Sequence, residues 1–354
     1  MRRSGNETTD RRKDNGMLNQ KKLDELLTTP SQKLIEDITK LEGDIMILGA
    51  GGKMGPSLCV LAAKAVRAAG VNKRVIAVSR FSSAEAAKEL EDAGVEVIRA
   101  DLQKPAELNA LPEVENVIYM AGRKFGTEGH EWETWGMNAT LSAFVAEKFK
   151  RSRIVVFSSA NIYSIAPVRC GGPTEEDPVV PVGEYPMSCL ARERAFEYAA
   201  NTYGTKVFIY RLCFAIGLNY GVLCDIAENI RNHRPVQVEN ACINYIWQGS
   251  ANEYAIRALL LADSPAVKMN ISGPEVISVE YAARRMGKGL GIEPVFEGVP
   301  QNDAYLVNTM KCTEAFGYPA FSAGELMDMQ VEWLLSDGKT LNKPTHFEAR
   351  NGKY

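Results

Sequence analysis

The segment LGAGGKMGP (48–56) constrains the fold of this chain more than any other part of its sequence. It overlaps the end of an apolar run, DIMILG (44–49), which predicts a short buried strand. An alanine-rich stretch comes next, and its pattern predicts a helix over residues 55–69. A glycine-rich turn between a strand and a helix is typical of the first unit of a nucleotide-binding α/β fold.

Three glycines in the turn have the spacing Gly49-x-x-Gly52-x-x-Gly55. This spacing lets the backbone turn tightly and approach a pyrophosphate, while the free N–H groups at the helix start face its negative charge. Pro56 suits the first helical turn, where its missing N–H costs nothing. The turn therefore predicts a dinucleotide site, and the alternative is a turn of the same composition that holds no ligand.

Strand and helix patterns continue to alternate along the chain. The predicted strands carry their apolar residues in continuous runs, as strands do when helices cover both faces of a parallel sheet. We therefore predict an α/β fold with a doubly wound parallel sheet and a smaller C-terminal substrate-binding lobe. The predicted strands are 74–79, 95–100, 116–122, 153–159 and 206–212, and the predicted helices are 85–93, 131–150 and 185–203.

Changes in pattern along the chain predict three parts. Residues 1–40 form an N-terminal extension, in which residues 1–16 are polar and are expected to be disordered. Ser31 is placed to cap a short helix within this extension. The nucleotide-binding domain covers residues 41–216, and residues 217–354 form mainly the substrate-binding lobe, with some segments that return to the sheet.

Composition excludes several classes of function. Hydrophobic residues make up 45% of the chain, and the net charge of −3 gives no electrostatic basis for binding nucleic acid or an anionic membrane. No apolar run approaches the roughly 20 residues that a membrane-spanning helix needs. The 7 cysteines form no CxxC pair and predict reduced thiols in the cytoplasm. The 3 histidines are isolated, so no metal centre is expected.

The residues after the second and third predicted strands bear on the choice of cofactor. NAD sites usually place an acid at the end of the second strand for the ribose hydroxyls. Here Ser79 and Arg80 occupy that place, and a hydroxyl and a guanidinium suit a 2′-phosphate. NADP is therefore favoured over NAD, unless Arg80 points only to solvent. Asp101 and Leu102, after the third strand, are placed to contact the adenine.

Several motifs follow one another in a specific order: GAGGKMG (49–55), ADL (100–102), YMAGRKFG (119–126), Asn138, FSSANIYS (157–164), YPMSC (185–189) and RLCFAIG (211–217). Together they resemble the extended short-chain dehydrogenase/reductases, and in particular the UDP-galactose 4-epimerase-like members of the NAD-dependent epimerase/dehydratase family. The resemblance covers about residues 44–290. It implies a Rossmann-type fold and an enzyme that uses NAD(P).

The resemblance also implies roles for individual residues. The family's catalytic hydroxyl and catalytic tyrosine correspond to Ser159 and Tyr185. Lys124 lies in a segment that passes beside the cofactor in UDP-galactose 4-epimerases, and Asn161 and Tyr163 are implied substrate contacts. The implied cofactor contacts are Gly49, Gly52, Lys53, Met54, Gly55, Ser79, Arg80, Asp101, Leu102, Ala121, Gly122, Lys124 and Tyr185.

Position 189 departs from the family's Tyr-x-x-x-Lys motif, in which both side chains lie on one helix face. It holds a cysteine here. Lowering the pKa of a tyrosine from about 10 to about 7 requires about 4 kcal/mol of phenolate stabilisation, which a neutral thiol does not supply. Two explanations remain open. Either the positive charge of an oxidised nicotinamide and a replacement cation, with Lys124 the best candidate, stabilise the phenolate, or the chain is a catalytically silent NADP-binding regulator.

Two further departures concern the reaction and the substrate. Ala160 and Asn161 replace the acid pair of the family's dehydratases, which argues against elimination. The segment 238–255 lacks the glycines and the arginine with which the family grips a diphosphate. We therefore expect hydride transfer at a carbinol carbon of a small sugar or sugar acid, by an oxidoreductase or epimerase, with a nucleotide-sugar epimerase as the alternative. Family members often dimerise through the helices that correspond to 131–150 and 185–203, so a homodimer is expected.

Overall fold

The computed structural model describes residues 18–352, so the disorder predicted for residues 1–16 lies outside the described residues. The centre of the protein is a seven-stranded sheet in which every neighbouring pair is parallel. Its strands are β1 (Ile45–Leu48), β2 (Val75–Ser79), β3 (Glu96–Arg99), β4 (Asn116–Tyr119), β5 (Arg153–Ser159), β6 (Lys206–Leu212) and β7 (Val267–Ile271). Their order across the sheet is β3-β2-β1-β4-β5-β6-β7, which confirms the predicted α/β fold.

Helices cover both faces of this sheet. Ile45 and Ile47 of β1 pack into the core on one face, and Met46 and Leu48 pack into the core on the other. Successive side chains of a strand point to opposite faces, so an apolar strand of this kind requires cover on both sides. The helices are α1 (Gln20–Thr28), α2 (Gln32–Lys40), α3 (Gly55–Ala69), α4 (Ala84–Asp92), α5 (Pro105–Asn109), α6 (Glu131–Trp135), α7 (Leu141–Lys148), α8 (Glu184–Tyr203), α9 (Val222–Arg231), α10 (Gln248–Arg257), α11 (Val279–Leu290), α12 (Met310–Phe316) and α13 (Ala323–Leu335).

The predicted elements agree with the structure where apolar pattern and end signals coincide. The ranges 55–69, 153–159 and 206–212 match α3, β5 and β6 residue for residue. Ser31 caps α2 as predicted, since its hydroxyl accepts a hydrogen bond from the N–H of Leu34 at 3.1 Å.

The helix predicted over 131–150 forms, but a turn of π-helix joins α6 to α7 within it. This turn spans Gly136–Thr140, and at its end the N–H of Leu141 donates to the carbonyl of Gly136, five residues earlier. The wider turn contains Asn138, which is fully buried. A π-turn inserts one residue into a helix and often marks a functional position.

The N-terminal helices pack on the sheet domain. Leu34 and Ile38 of α2 are buried in the same core as the residues of α3. Asp37 forms an ion pair with Arg257 of α10, with Oδ2 and Nε 2.9 Å apart. The extension is therefore part of the folded body from α1 onward.

Most of the chain after β6 builds a second core, which we call the C-terminal lobe. Helices α9, α11 and α13 pack around the buried rings of Trp247 and Trp333. Strand β7 comes from this part of the chain but joins the central sheet. No helix within residues 18–352 combines the length and apolarity needed to cross a membrane. Short strand pairs complete the architecture: Ala166–Pro167 with Asp303–Ala304, Ala215–Ile216 with Ile246–Trp247, Val236–Gln237 with Phe296–Glu297, and Cys242–Ile243 with Ile277–Ser278.

A buried ion pair fastens α8 to the sheet. The side chains of Glu193 and Arg211 are 0% and 2% exposed, and Oε2 and Nη2 are 2.8 Å apart. Oε1 of Glu193 also accepts a hydrogen bond from the hydroxyl of Ser158 at 2.6 Å, and Arg211 donates to the hydroxyl of Tyr163. Buried charges are tolerated when such partners satisfy them. The pair therefore holds α8, β5 and β6 in one arrangement.

We predict that Glu193→Ala lowers the free energy of unfolding by about 3–5 kcal/mol, because it leaves the Arg211 guanidinium buried without its counterion. Glu280→Ala is the matched control. It breaks the exposed pair with Arg284 on α11 and is expected to cost less than about 1 kcal/mol. Chemical denaturation of the three proteins measures both values. Equal losses for the two variants would contradict the role given to the buried pair.

Candidate active site

The glycine turn joins β1 to α3, and two of its glycines are required by close packing. Gly49 has a φ of +89°, and a Cβ on it would lie 2.6 Å from the backbone N of Ala121. A Cβ on Gly55 would lie 2.2 Å from the carbonyl oxygen of Ala50. Gly52 differs, because the nearest protein atom to a Cβ there is the carbonyl oxygen of Gly49 at 3.5 Å. The space in front of Gly52 is therefore left for a ligand.

Two cavities of about 350 Å³ each adjoin this turn. Both are lined by Gly49, Gly52, Met120 and Gly122, so they form one elongated cleft. The cleft lies at the carboxyl ends of the parallel strands, where doubly wound sheets bind dinucleotides. The space in front of Gly52 faces the start of α3, and a Cβ at position 52 would occupy it. Such a space at a helix start fits a pyrophosphate. We call the two halves of the cleft the adenosine-side cavity and the catalytic cavity.

The adenosine-side cavity brings together the contacts predicted at the ends of β2 and β3. Ser79, Arg80, Asp101 and Leu102 all line it, together with Ala121. Arg80 is exposed at the rim of this cavity. The carboxylate of Asp101 accepts a hydrogen bond from the backbone N–H of Gln103 at 3.1 Å. No acid stands at the end of β2.

Lys53 reaches from the glycine turn to the C-terminal lobe. Its ammonium donates a hydrogen bond to the carbonyl of Ala215 at 3.3 Å and lies 4.2 Å from the centre of the Tyr220 ring. The neighbouring Met54 is buried and also lines the catalytic cavity. Lys53 therefore lies at the border between the turn and the lobe, within the catalytic cavity.

The catalytic cavity contains the predicted catalytic pair in contact. The phenol of Tyr185 lies beside the hydroxyl of Ser159 and the thiol of Cys189, and both groups act on its pKa. Ser159 in turn donates to Oδ1 of Asn161 at 2.9 Å and accepts from the N–H of the same residue at 3.2 Å. Ser159, Asn161 and Tyr185 all line the cavity. Hydroxyl, phenol and amide groups therefore converge on one wall.

Burial controls the protonation of this pair. Desolvation raises the pKa of Tyr185 far above its ordinary value, and Cys189 adds to the increase. The hydrogen bond to Ser159 and the positive charge of Arg192 act in the opposite direction. Burial also raises the pKa of Cys189. In the protein alone, Tyr185 is therefore a neutral phenol and Cys189 a neutral thiol at pH 7.

Arg192 is a buried cation that the sequence prediction missed. Its guanidinium donates to the carbonyl oxygens of Phe157 (2.7 Å) and Asn138 (3.3 Å) and to Oδ1 of Asn138 (2.9 Å), all of which are neutral. A Cβ on Gly122 would lie 2.6 Å from this guanidinium, so the charge stands directly behind the cavity wall. Arg192 follows Tyr185 by seven residues, so both side chains lie on one face of α8. This spacing was the sequence signal from which Arg192 could have been predicted as part of the site.

Lys124 enters the catalytic cavity from the loop after β4. Its ammonium donates to the carbonyl of Thr345 at 3.4 Å. Desolvation lowers its pKa to about 8, although Cys189, Cys213 and Asp225 favour the charged form. The positive charge of Lys124 also acts on the thiol of Cys189 and favours its ionised form.

Tyr163 does not reach the cavity, which corrects the predicted substrate contact. Its ring is 2% exposed, and its hydroxyl donates to Oδ1 of Asn270 at 3.0 Å and accepts from Arg211. The 3₁₀ turn Ala160–Ile162 after β5 turns this side chain inward. Other lining residues were not singled out from the sequence: Phe214, within the RLCFAIG motif, and Tyr220, Tyr305, Leu306 and Thr345, which lie in segments without a recognisable motif.

Comparison with known proteins agrees with this geometry. The model of the NAD-dependent epimerase/dehydratase family matches residues 45–240, which is more than half of the chain. The chain belongs to this family. Its members are enzymes of the short-chain dehydrogenase/reductase superfamily. No curated protein gives a match.

Solved structures share the fold of this family member at low sequence identity. A UDP-galactose 4-epimerase is 21% identical with a TM-score of 0.65, and the match covers 83% of this chain and 99% of that one. The UDP-glucose 4-epimerase of Thermotoga maritima, solved with UDP-glucose, is 18% identical with a TM-score of 0.66 and the same coverage. The dTDP-glucose 4,6-dehydratase of Bacillus anthracis, solved with NAD, is 15% identical with a TM-score of 0.70, covering 83% of this chain and 97% of that one.

We predict that Gly52→Ala abolishes the stabilisation of the protein by NADP and NAD without unfolding it. The new Cβ has ordinary contact with Gly49 but occupies the space in front of the turn. Thermal unfolding with increasing cofactor measures this, because a ligand of the folded state raises the midpoint. Gly324→Ala in α13 is the control, since its nearest contact is 3.7 Å away in Arg285. A normal cofactor shift in Gly52→Ala would contradict the assignment.

Proposed function

We propose that this enzyme transfers a hydride between NADP, or NAD, and a carbinol carbon of a small sugar or sugar acid, as a dehydrogenase, reductase or epimerase. The observation that carries the proposal is the pair of Ser159 and Tyr185, neighbours in the wall of a small cavity continuous with the cofactor cleft. When bound, the nicotinamide supplies the hydride acceptor or donor. The side chains of the protein transfer the proton and hold the substrate.

Tyr185 acts as the acid–base group. In its ionised form, its phenolate oxygen takes the proton of the substrate hydroxyl when the carbinol is oxidised, and the resulting phenol returns that proton when the carbonyl is reduced. Ser159 holds the substrate oxygen by a hydrogen bond, and Asn161 fixes the rotamer of Ser159. Burial of the phenol opposes its ionisation, so the reaction requires positive charge close to Tyr185.

Two cations supply positive charge in place of the lysine that Cys189 replaces. We propose Lys124 as the replacement, because its ammonium lines the cavity and acts electrostatically on Cys189. Arg192 adds a fixed positive charge from behind the wall, where three neutral acceptors hold its guanidinium. This arrangement favours an active enzyme over a catalytically silent regulator.

The substrate class follows from the missing diphosphate anchor and the size of the cavity. The catalytic cavity has a volume of about 350 Å³, part of which belongs to the nicotinamide end of the cofactor. Phe214 and Tyr305 present rings rather than charges to it. A nucleotide-sugar epimerase is the second candidate, because the fold is shared with enzymes solved with UDP-glucose.

NADP is the proposed cofactor. Ser79 and Arg80 form the rim of the adenosine-side cavity where an acid would repel a 2′-phosphate. Thermal unfolding of the unaltered protein with increasing NADP, and separately with increasing NAD, tests which cofactor is preferred. A larger shift with NAD than with NADP would contradict the proposal.

We also propose that the enzyme is a cytoplasmic homodimer. Phe144 of α7 and Met187, Tyr198 and Tyr203 of α8 expose large apolar groups on adjacent helices, 49%, 45%, 62% and 42% respectively. Such exposed apolar area is typical of a subunit interface. All seven cysteines are free thiols, the state expected in a reducing compartment. Light scattering that gives the monomer mass of 38.9 kDa would contradict the dimer.

We predict that aldoses, aldonic acids or uronic acids change the absorbance of the nicotinamide at 340 nm, or form an epimer detectable by product analysis. Tyr185→Phe should lower turnover by about 10²–10⁴-fold, because it removes the acid–base group. Tyr318→Phe is the control, since this tyrosine is 77% exposed on the surface. Unchanged turnover in Tyr185→Phe would contradict the assignment.

The pH profile tests Lys124. Its ammonium is present below the pKa of about 8 and is lost above it, so activity should fall as the pH rises through about 8. Lys124→Arg should move this fall to higher pH, because a guanidinium keeps its charge, and Lys124→Met should lower turnover throughout. Lys33→Arg, at an exposed position of α2, should leave the profile unchanged. If the activity of Lys124→Arg falls at the same pH as that of the unaltered enzyme, Lys124 is not the cation that stabilises the phenolate.

A further inference from the structure

Residues 338–352 follow α13 and run past the catalytic cavity; we call them the C-terminal strap. Near its start, the N–H of Leu341 donates to the carbonyl of Asn219 in the C-terminal lobe at 2.9 Å. Near its end, a Cβ on Gly183 would lie 2.6 Å from the carbonyl oxygen of Gly352, so the strap packs against the start of α8. The strap therefore bridges the lobe and the helix that carries Tyr185.

Thr345 is the strap residue that lines the catalytic cavity. Its N–H and its hydroxyl both donate to Oδ2 of Asp225, at 2.8 and 2.6 Å. Its carbonyl accepts the hydrogen bond from Lys124. Asp225 is a partly buried carboxylate whose pKa is raised by desolvation, and the two bonds from Thr345 act against that increase. These bonds form a latch that holds the strap over the cavity.

Contacts on either side of the latch make the strap a fixed part of the fold. Phe347 is 5% exposed in the core of the C-terminal lobe, and its carbonyl accepts a hydrogen bond from Asn240 at 3.0 Å. Arg350 forms an ion pair with Asp303 and donates to its carbonyl at 3.1 Å. A segment with a buried aromatic anchor and a salt bridge is ordered by tertiary contacts.

The strap separates two cavities. The catalytic cavity lies on one side of Thr345, and a further cavity of about 580 Å³ lies between the strap and α9. Tyr220 lines both cavities. Arg231 and Arg234 line the second one together with three carboxylates, and Arg231 is paired with Glu228 at 2.8 Å. The strap residues that line this second cavity are Thr340, Asn342, Lys343, Pro344, Phe347 and Glu348.

We propose that the C-terminal strap determines the size of the substrate: it closes the catalytic cavity to a substrate of monosaccharide size and excludes a nucleotide sugar. This inference rests on the proposed function. With the strap in place, a substrate held at Tyr185 ends against Thr345. A nucleoside diphosphate attached to it would have to extend past Thr345 into the second cavity, which the strap separates from the catalytic cavity.

The test measures binding of UDP-glucose by calorimetry to the intact chain and to a chain that ends at Asp337. The shortened chain should bind UDP-glucose at least about tenfold more tightly than the intact chain, which corresponds to about 1.4 kcal/mol. Thermal stabilisation by NADP in both proteins verifies that the cofactor domain is folded. Equal binding by the two proteins, or binding by neither, would overturn the proposal.

A second variant covers the case in which the shortened chain does not fold. Asp225→Ala removes the acceptor of the latch but keeps Phe347 and Arg350, and it should show the same gain in affinity for UDP-glucose. Lys339→Ala, at an exposed position of the strap, is the matched control and should bind like the intact chain. If Asp225→Ala also binds like the intact chain, the latch does not exclude nucleotide sugars.

The outcomes for the strap and for the proposed function are separable. Turnover of a free sugar that depends on Tyr185, without any gain in UDP-glucose binding, would overturn the strap proposal alone. A gain in UDP-glucose binding without turnover of any free sugar would support the strap proposal and contradict the proposed function.

Discussion

The ion pair between Glu193 and Arg211 joins the helix that carries Tyr185 to the sheet that carries Ser159. Both charges are buried, so the pair forms only when α8 lies in one position against β5 and β6. Hydrogen bonds from Ser158 and to Tyr163 complete the partners of these charges. The closeness of the phenol and the hydroxyl depends on this fixed position. A second buried cation, Arg192, precedes Glu193 on α8 and adds hydrogen bonds to Asn138 and to the carbonyl of Phe157 in β5.

Parts of the site that depend on local chemistry could be predicted from sequence. The position of Gly55 follows from the turn itself, because a Cβ there would collide with the backbone of Ala50, whereas Gly49 is required by the backbone of Ala121 after β4. Ser159 and Tyr185 are in contact because each stands at a fixed place in its element, one at the end of β5 and one at the start of α8. The two residues that the motifs pair, Ser159 and Tyr185, line the same cavity in the structure.

Other parts depend on contacts between distant residues and left no pattern in the sequence. The latch joins Asp225 to Thr345 across 120 residues, and neither residue belongs to a motif. Tyr163 stands four residues after Ser159, but a 3₁₀ turn and the buried Arg211 direct it inward. The π-turn at Gly136–Thr140 has the same apolar period as an ordinary helix, so the widened turn that holds Asn138 was not visible.

The central claim is the proposal that hydride transfer occurs at a carbinol carbon held by Tyr185, with a cysteine rather than a lysine at position 189. Its most direct test uses the sugar found in the substrate screen, deuterated at the reacting carbon, with mass spectrometry of the nicotinamide cofactor and the product after a single turnover. We predict that the deuterium is found in the reduced cofactor after net oxidation, or at the same carbon of the product when the hydride is returned to the other face. Product formation with the deuterium lost to solvent would contradict the account.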